Sequence, residues 1–363
     1  MIMLDYSLYC LKERKKLCIG YFGGSITEGA GASDPEKTSW RAIISQWFRT
    51  RYPESEITTV QAAIGGTGTD LGAYRVEDNL LAFQPNLIFI EFAVNDSIVP
   101  YGEVLRNTET ILRKIWTAQP KADVVMIYTT KKEMADLLSN GGEFYSRTAH
   151  AALAHHYGEI PQIDMGEVLR QKITEDGGNW EAYTTDLVHP NDRGYRVYAS
   201  CVAERLSCWL DETKSKGASE SFEKQMPEPL THALRMHAHM EDAWRASGEG
   251  WTKTEKSMCG RYPHMLEGLE PGTELTYTFE GTRIGLYWMM AEDSGDIWLS
   301  VDGGEPVFYR AWDHYCRTFS RADSIFIPEE LPYGVHTMRL RIAETRAPES
   351  KGYAVRIGAF LVS

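Results

Sequence analysis

Leu17-Cys18-Ile19-Gly20-Tyr21-Phe22 runs directly into Gly23-Gly24-Ser25-Ile26-Thr27-Glu28-Gly29. A short apolar run closed by glycines predicts a strand buried on both faces, followed by a tight turn. Four more such runs lie downstream: EITTVQAA at 56–63, NLIFIEFA at 86–93, DVVMIY at 123–128 and EIPQID at 159–164. Helical patterns separate them. In SWRAIISQWFRTRY at 39–52, Trp40, Ile43, Ile44 and Trp47 recur at helical spacing, and Val104, Ile111, Ile115 and Trp116 do so in GEVLRNTETILRKIWTAQ at 102–119. Strands alternating with helices predict an α/β unit, a parallel sheet with helices on both faces, over residues 1–210.

With 363 residues the chain exceeds one typical domain. The polar, charged, proline-bearing stretch 211–230 is the expected linker. From 231 to 363 the pattern changes to strict alternation, with Leu275, Tyr277 and Phe279 against Thr276 and Thr278, and Met338, Leu340 and Ile342 against Arg339 and Arg341. Period-two alternation predicts half-buried antiparallel strands. Asp302-Gly303-Gly304 reads as a turn between two of them, and the whole as an all-β, jelly-roll-like sandwich.

In an open α/β sheet, ligands bind at the carboxyl ends of the strands, which is where Ser25 falls. NLIFIEFA ends in Val94-Asn95-Asp96, which brings an amide to the same rim, where it can donate to a developing oxyanion. Ala63-Ile64-Gly65-Gly66-Thr67-Gly68 offers backbone N–H groups at a helix start. A glycine-flanked serine alone is commonly just a turn, so its partners decide the reading. Thr185-Asp186-Leu187-Val188-His189-Pro190 supplies them, because its spacing lets a carboxylate orient an imidazole whose other nitrogen faces Ser25. Pro190 suits a first helical position. His150, His155 and His156 have no comparable company.

These four blocks, over roughly the first 210 residues, resemble those of the SGNH (GDSL) hydrolases. The resemblance implies a flavodoxin-like sheet and a cofactor-free serine esterase. By it Ser25 is nucleophile and oxyanion donor, Gly66 and Asn95 are the other donors, and Asp186 and His189 complete the triad. The sequence departs from the family pattern at Gly24, where the signature has aspartate, at Gln61, where asparagine is common, and at Ala93-Val94, where glycine is common. Val94 narrows the space beside Asn95 and favours acetyl over larger acyl groups.

The second part is rich in aromatic residues. Trp312-Asp313-His314-Tyr315-Cys316-Arg317 crowds aromatic, acidic and basic groups between strands, which suits either a sugar, with Trp312 and Tyr315 as contacts, or a corner packed against the first domain. Trp298 alternates with Ser300 and can face either way. A hydrolase domain followed by a carbohydrate-binding-module-like sandwich resembles the intracellular mannan acetylesterases. That implies an O-acetylated hemicellulose oligosaccharide as substrate. A thioesterase or lysophospholipase on the same scaffold, or a catalytically idle glycan-binding protein, are the alternatives.

A net charge of −13 with no basic stripe argues against nucleic acid as partner. No segment is long and apolar enough to span a bilayer, and the N-terminal charges fall between two apolar stretches instead of preceding one, so no signal peptide is expected. The six cysteines are scattered without close pairs, as in a cytoplasmic protein. No cluster with metal-ligand spacing occurs, and Asp96 is expected to be a structural hydrogen-bonding residue instead of a ligand.

Overall fold

The run at 17–22 forms β1 (Lys16–Gly23), and the other four form β2 (Glu56–Gln61), β3 (Leu87–Glu91), β4 (Asp123–Tyr128) and β5 (Gln162–Asp164). The computed structural model describes residues 4–212, 221–328 and 330–363. All five strands run parallel in the order β2-β1-β3-β4-β5. β3 and β4 are buried along their whole length, as unbroken apolar runs require. β2 is an edge strand, and its Thr58 and Thr59 are exposed.

Helices Trp40–Arg51, Met165–Glu175 and Asp192–Glu212 contribute Trp40, Ile44, Leu169, Ile173, Tyr195 and Leu206 to one core with Ile19, Tyr21, Phe89 and Ile127 of the sheet. Ser39 starts the first of these by accepting the Ala42 N–H at 3.3 Å. Helices Thr69–Asn79, Tyr101–Ala118 and Tyr145–His156 pack in succession on one another. The chain leaves β1 toward β2 on one side and resumes with β3 on the other, so the connections diverge at the carboxyl ends of β1 and β3. That is the switch point at which such sheets bind ligands. Gly23 and Glu91 pair there.

Of the linker expected at 211–230, residues 213–220 lie outside the described residues. The segment after them is not a free tether. Lys224 donates to buried Asp123 at 2.6 Å, the Leu230 and Thr231 N–H groups donate to buried Glu109 at 2.6 and 2.7 Å, and the Arg235 N–H donates to Thr110 Oγ1 at 3.1 Å. Two carboxylates buried on the first unit need donors, and this segment provides them. The compact units are therefore Met1–Arg235 and Met236–Ser363, with the second beginning a few residues later than 231.

The second unit is a sandwich of two antiparallel sheets. One orders Arg321–Phe326, Ile284–Met290, Val355–Val362, Met265–Gly268 and Trp251–Thr254, with His239–Asp242 also paired to Val355–Val362; the other orders Val307–Arg310, Asp296–Val301, Gly334–Ile342 and Glu274–Gly281. The alternation holds, since Leu275, Tyr277, Phe279, Met338, Leu340 and Ile342 enter the core. The Asp302-Gly303 turn has positive φ at both residues, 52° and 73°, as a tight hairpin between right-twisted strands requires. Trp298 faces outward, beside Phe308.

Candidate active site

Ser25 is the first residue of a single helical turn, Ser25–Glu28, that begins where β1 ends. Four contacts hold this turn. The Gly24 N–H donates to the Glu91 carbonyl at 3.2 Å, Thr27 Oγ1 donates to Glu91 Oε2 at 2.8 Å, and the buried Tyr195 hydroxyl spans the Ile26 and Ala30 carbonyls at 3.0 and 2.7 Å. Behind it the buried Arg75 guanidinium donates to the carbonyls of Gly23 (3.1 Å) and Ala62 (2.5 Å), which ties the ends of β1 and β2, and lies 4.4 Å from the Phe22 ring centre.

Asp186 and His189 sit in a loop closed on itself by the Thr185 N–H donating to the His189 carbonyl at 2.8 Å, with Leu187 at φ 67°. His189 Nδ1 lies 2.7 Å from Asp186 Oδ2, and Nε2 lies 2.8 Å from Ser25 Oγ. The other Asp186 oxygen accepts the N–H groups of Val188 (3.1 Å) and His189 (2.8 Å). Burial alone raises this carboxyl, but the bonds from His189 and Val188 outweigh it and hold Asp186 below the ordinary carboxylate value. It therefore stays charged beside the imidazole. Pro190 is not the first helical residue expected. It bridges to Thr184, the helix starts at Asp192, and Asn191 Oδ1 takes up the N–H groups of Arg193 and Gly194 at 2.9 and 3.2 Å.

The Gly65-Gly66 turn lies against the serine, since a Cβ on Gly65 would stand 3.3 Å from Ser25 Cβ. The Gly65 N–H donates to Glu28 Oε2 at 2.8 Å, and Gly66 has φ 77°, a conformation glycine adopts without strain. Asn95 opens a short 3-10 turn after β3, Asn95–Ile98, and its side-chain oxygen lies over Gly24. Ser25, Gly66 and Asn95 thus gather at the switch point of the sheet, with the Asp186–His189 loop presenting its ring to the serine. A hydroxyl bonded to an imidazole whose far nitrogen is held by a carboxylate can lose its proton to that ring as it attacks.

Residues 21–197 match the GDSL-like lipase/acylhydrolase family. The match covers most of the first unit. The whole chain is similar in fold, with a TM-score of 0.82 and 24% identity, to a two-domain esterase active on acetylated mannans, over 99% of this chain and 95% of that one. A second crystal structure of such an esterase, co-crystallised with mannopentaose, gives a TM-score of 0.81 at 22% identity over 99% and 94%. No curated protein sequence matches the chain.

Sequence reasoning misses several residues that frame the serine site, namely Glu91, Arg75 and Tyr195, and passes over His150 along with His155 and His156. Glu91 carried a signal, because an acid inside the apolar run NLIFIEFA is buried only for a reason. Asp96 is a structural hydrogen-bonding residue, as expected, fully buried and bonded to Thr69 and His150.

Trp312 and Tyr315 belong to the second unit. Asp313 caps the turn His314–Arg317, Tyr315 is exposed with the His314 and Phe319 rings tilted against it at 3.9 and 5.9 Å, and half-buried Trp312 carries the Arg317 guanidinium over its ring at 5.8 Å. Among the described residues no group of three or more His, Cys, Asp or Glu side chains is gathered to hold a metal ion. Nor, among the described residues, is any helix long and apolar enough to cross a membrane.

Proposed function

We propose that this GDSL-family esterase removes O-acetyl groups from carbohydrate, with acetylated mannan-type hemicellulose oligosaccharides as its substrates. His189 Nε2 takes the Ser25 proton while Oγ attacks the ester carbonyl. The N–H groups of Ser25 and Gly66 and the Asn95 amide hold the oxyanion. Collapse expels the sugar hydroxyl, which receives its proton from His189, and leaves an acetyl-serine. Water, deprotonated by His189, then releases acetate and restores Ser25. Asp186 keeps the ring in the required tautomer throughout, and no metal or cofactor takes part.

The observation that carries this reading is the unbroken line from Asp186 Oδ2 through both nitrogens of His189 to Ser25 Oγ, at 2.7 and 2.8 Å. A catalytically idle glycan-binding protein has no use for it. The carbohydrate part draws support from the likeness along the whole chain to the esterase active on acetylated mannans. The exposed Tyr315, His314 and Phe319 rings are of a kind that stacks on sugars. All six cysteines are free, in keeping with action in the cytoplasm.

Mass spectrometry of acetylated mannan, xylan and pectin fragments after incubation with the protein tests the assignment. Loss of acetyl groups from the mannan fragments, ahead of the other two, is the expected result. Hydrolysis confined to thioesters or lysophospholipids would overturn the carbohydrate assignment while leaving the serine chemistry.

A further inference from the structure

Helix Tyr145–His156 reaches the loop that carries Asn95 at two points. At its first turn the Ser146 hydroxyl donates to the Ala93 carbonyl at 2.7 Å. One turn later His150 Nε2 donates to Asp96 Oδ2 at 3.0 Å, with side chains 2% and 0% exposed. The same carboxylate accepts the Thr69 N–H at 2.9 Å and the Thr69 hydroxyl at 3.0 Å. Asp96 therefore joins three segments distant in sequence: the turn after β3, the start of helix Thr69–Asn79 and helix Tyr145–His156.

Acyl transfer has no direct use for this histidine. A buried carboxylate held by three donors is costly to desolvate, and arrangements of this kind persist where they fix geometry. What it fixes here is the neighbouring residue. Asn95 and Asp96 share one 3-10 turn, whose Asp96 N–H is also bonded to the Phe92 carbonyl at 2.9 Å, so anchoring the Asp96 side chain sets the direction in which Asn95 leaves the backbone. An oxyanion donor acts through being held in place before charge develops.

We propose that His150 is a positioning residue for ester hydrolysis: bonded to Asp96, it holds the Asn95 amide where the oxyanion forms. The proposal rests on Asn95 being an oxyanion donor. Because that interaction exists only in the transition state, losing its alignment lowers kcat and leaves KM unchanged.

The test is a cycle on 4-nitrophenyl acetate with His150→Leu, Asn95→Ala and the double variant, alongside His150→Gln, whose amide still offers a donor. His150→Leu is expected to lower kcat by up to about a hundredfold at constant KM, the scale of a misplaced catalytic group. His150→Gln recovers much of that loss. In the Asn95→Ala background His150→Leu costs nothing more, because the group it positions is gone. If His150→Leu does not fold, His150→Asn, too short to reach Asp96, takes its place in the same cycle. Parental kcat in the His150 variants, a loss in KM alone, or an equal loss with and without Asn95 would overturn the proposal. Parental kcat in Asn95→Ala would instead remove the oxyanion assignment itself, and the proposal with it.

Discussion

Gly24 lies so close beneath Asn95 that a Cβ on residue 24 would stand 2.1 Å from Asn95 Oδ1. The position at which the GDSL signature carries aspartate is therefore filled by the Asn95 side chain, and only glycine leaves room for it. Gly24 itself has φ −96°, which any residue can adopt, so a methyl group there strains the amide and not the backbone. Gly24→Ala is expected to fold normally and to lower kcat on 4-nitrophenyl acetate by about a hundredfold, as the amide turns away. Unchanged kcat would show that Asn95 has no part in the reaction.

Glu91 gives a stability signature that does not depend on turnover. Burial lifts its carboxyl from the ordinary 4.5 to about 7, against the bonds from Thr129 and Thr27 that favour the charged form. The folded chain then keeps a proton that the unfolded chain has released, so stability is full below pH 4.5 and falls as pH rises toward 7. One group with this shift contributes a fall of about 3 kcal/mol. Glu91→Gln is expected to flatten this part of the Tm profile, measured from pH 4.5 to 7; an identical slope in both proteins would assign it elsewhere.

Asp186→Asn keeps the shape of the loop but offers the imidazole an amide in place of a charge. A drop in kcat of about ten thousandfold is expected, with the fold intact by circular dichroism. A drop of only a fewfold would show that the Asp186 carboxylate does not orient or stabilise the ring.

The parts of the fold and site that could be read from the sequence share one property: each depends on residues near one another in the chain. The five apolar runs became β1 to β5, and the alternation around Tyr277 and Leu340 became sandwich strands. Ser25, Gly66 and Asn95 each stand in a short block just after a predicted strand, and Asp186 and His189 in one short loop. His150 has no such block, because its partner Asp96 lies 54 residues away, and a lone histidine on a helix reads as an ordinary core residue. The Leu230 and Thr231 donors were hidden for the same reason, since their acceptor, Glu109, sits amid an amphipathic helix. Pro190 misled because its sequence suits a helix start, while Asn191 makes the better cap.

For the second unit, the exposed ring of Tyr315 is the expected contact for sugar residues away from the scissile ester. Binding energy from such remote parts of a substrate is absent from small esters. Tyr315→Ala should therefore lower kcat/KM on acetylated mannan oligosaccharides by about tenfold, the order expected for one lost aromatic contact, and leave 4-nitrophenyl acetate unaffected. Equal effects on both substrates, or none, would show that this ring does not bind sugar.

Acetate release by Ser25→Ala, measured against the parent protein on acetylated mannan oligosaccharides, tests the central claim most directly. With the attacking oxygen gone, His189 has no proton to take and no acetyl-serine can form. Removing a nucleophile of this kind costs about a millionfold in kcat, so no release above background is expected from a variant that folds as the parent does. Turnover near the parental rate in folded Ser25→Ala would contradict the account.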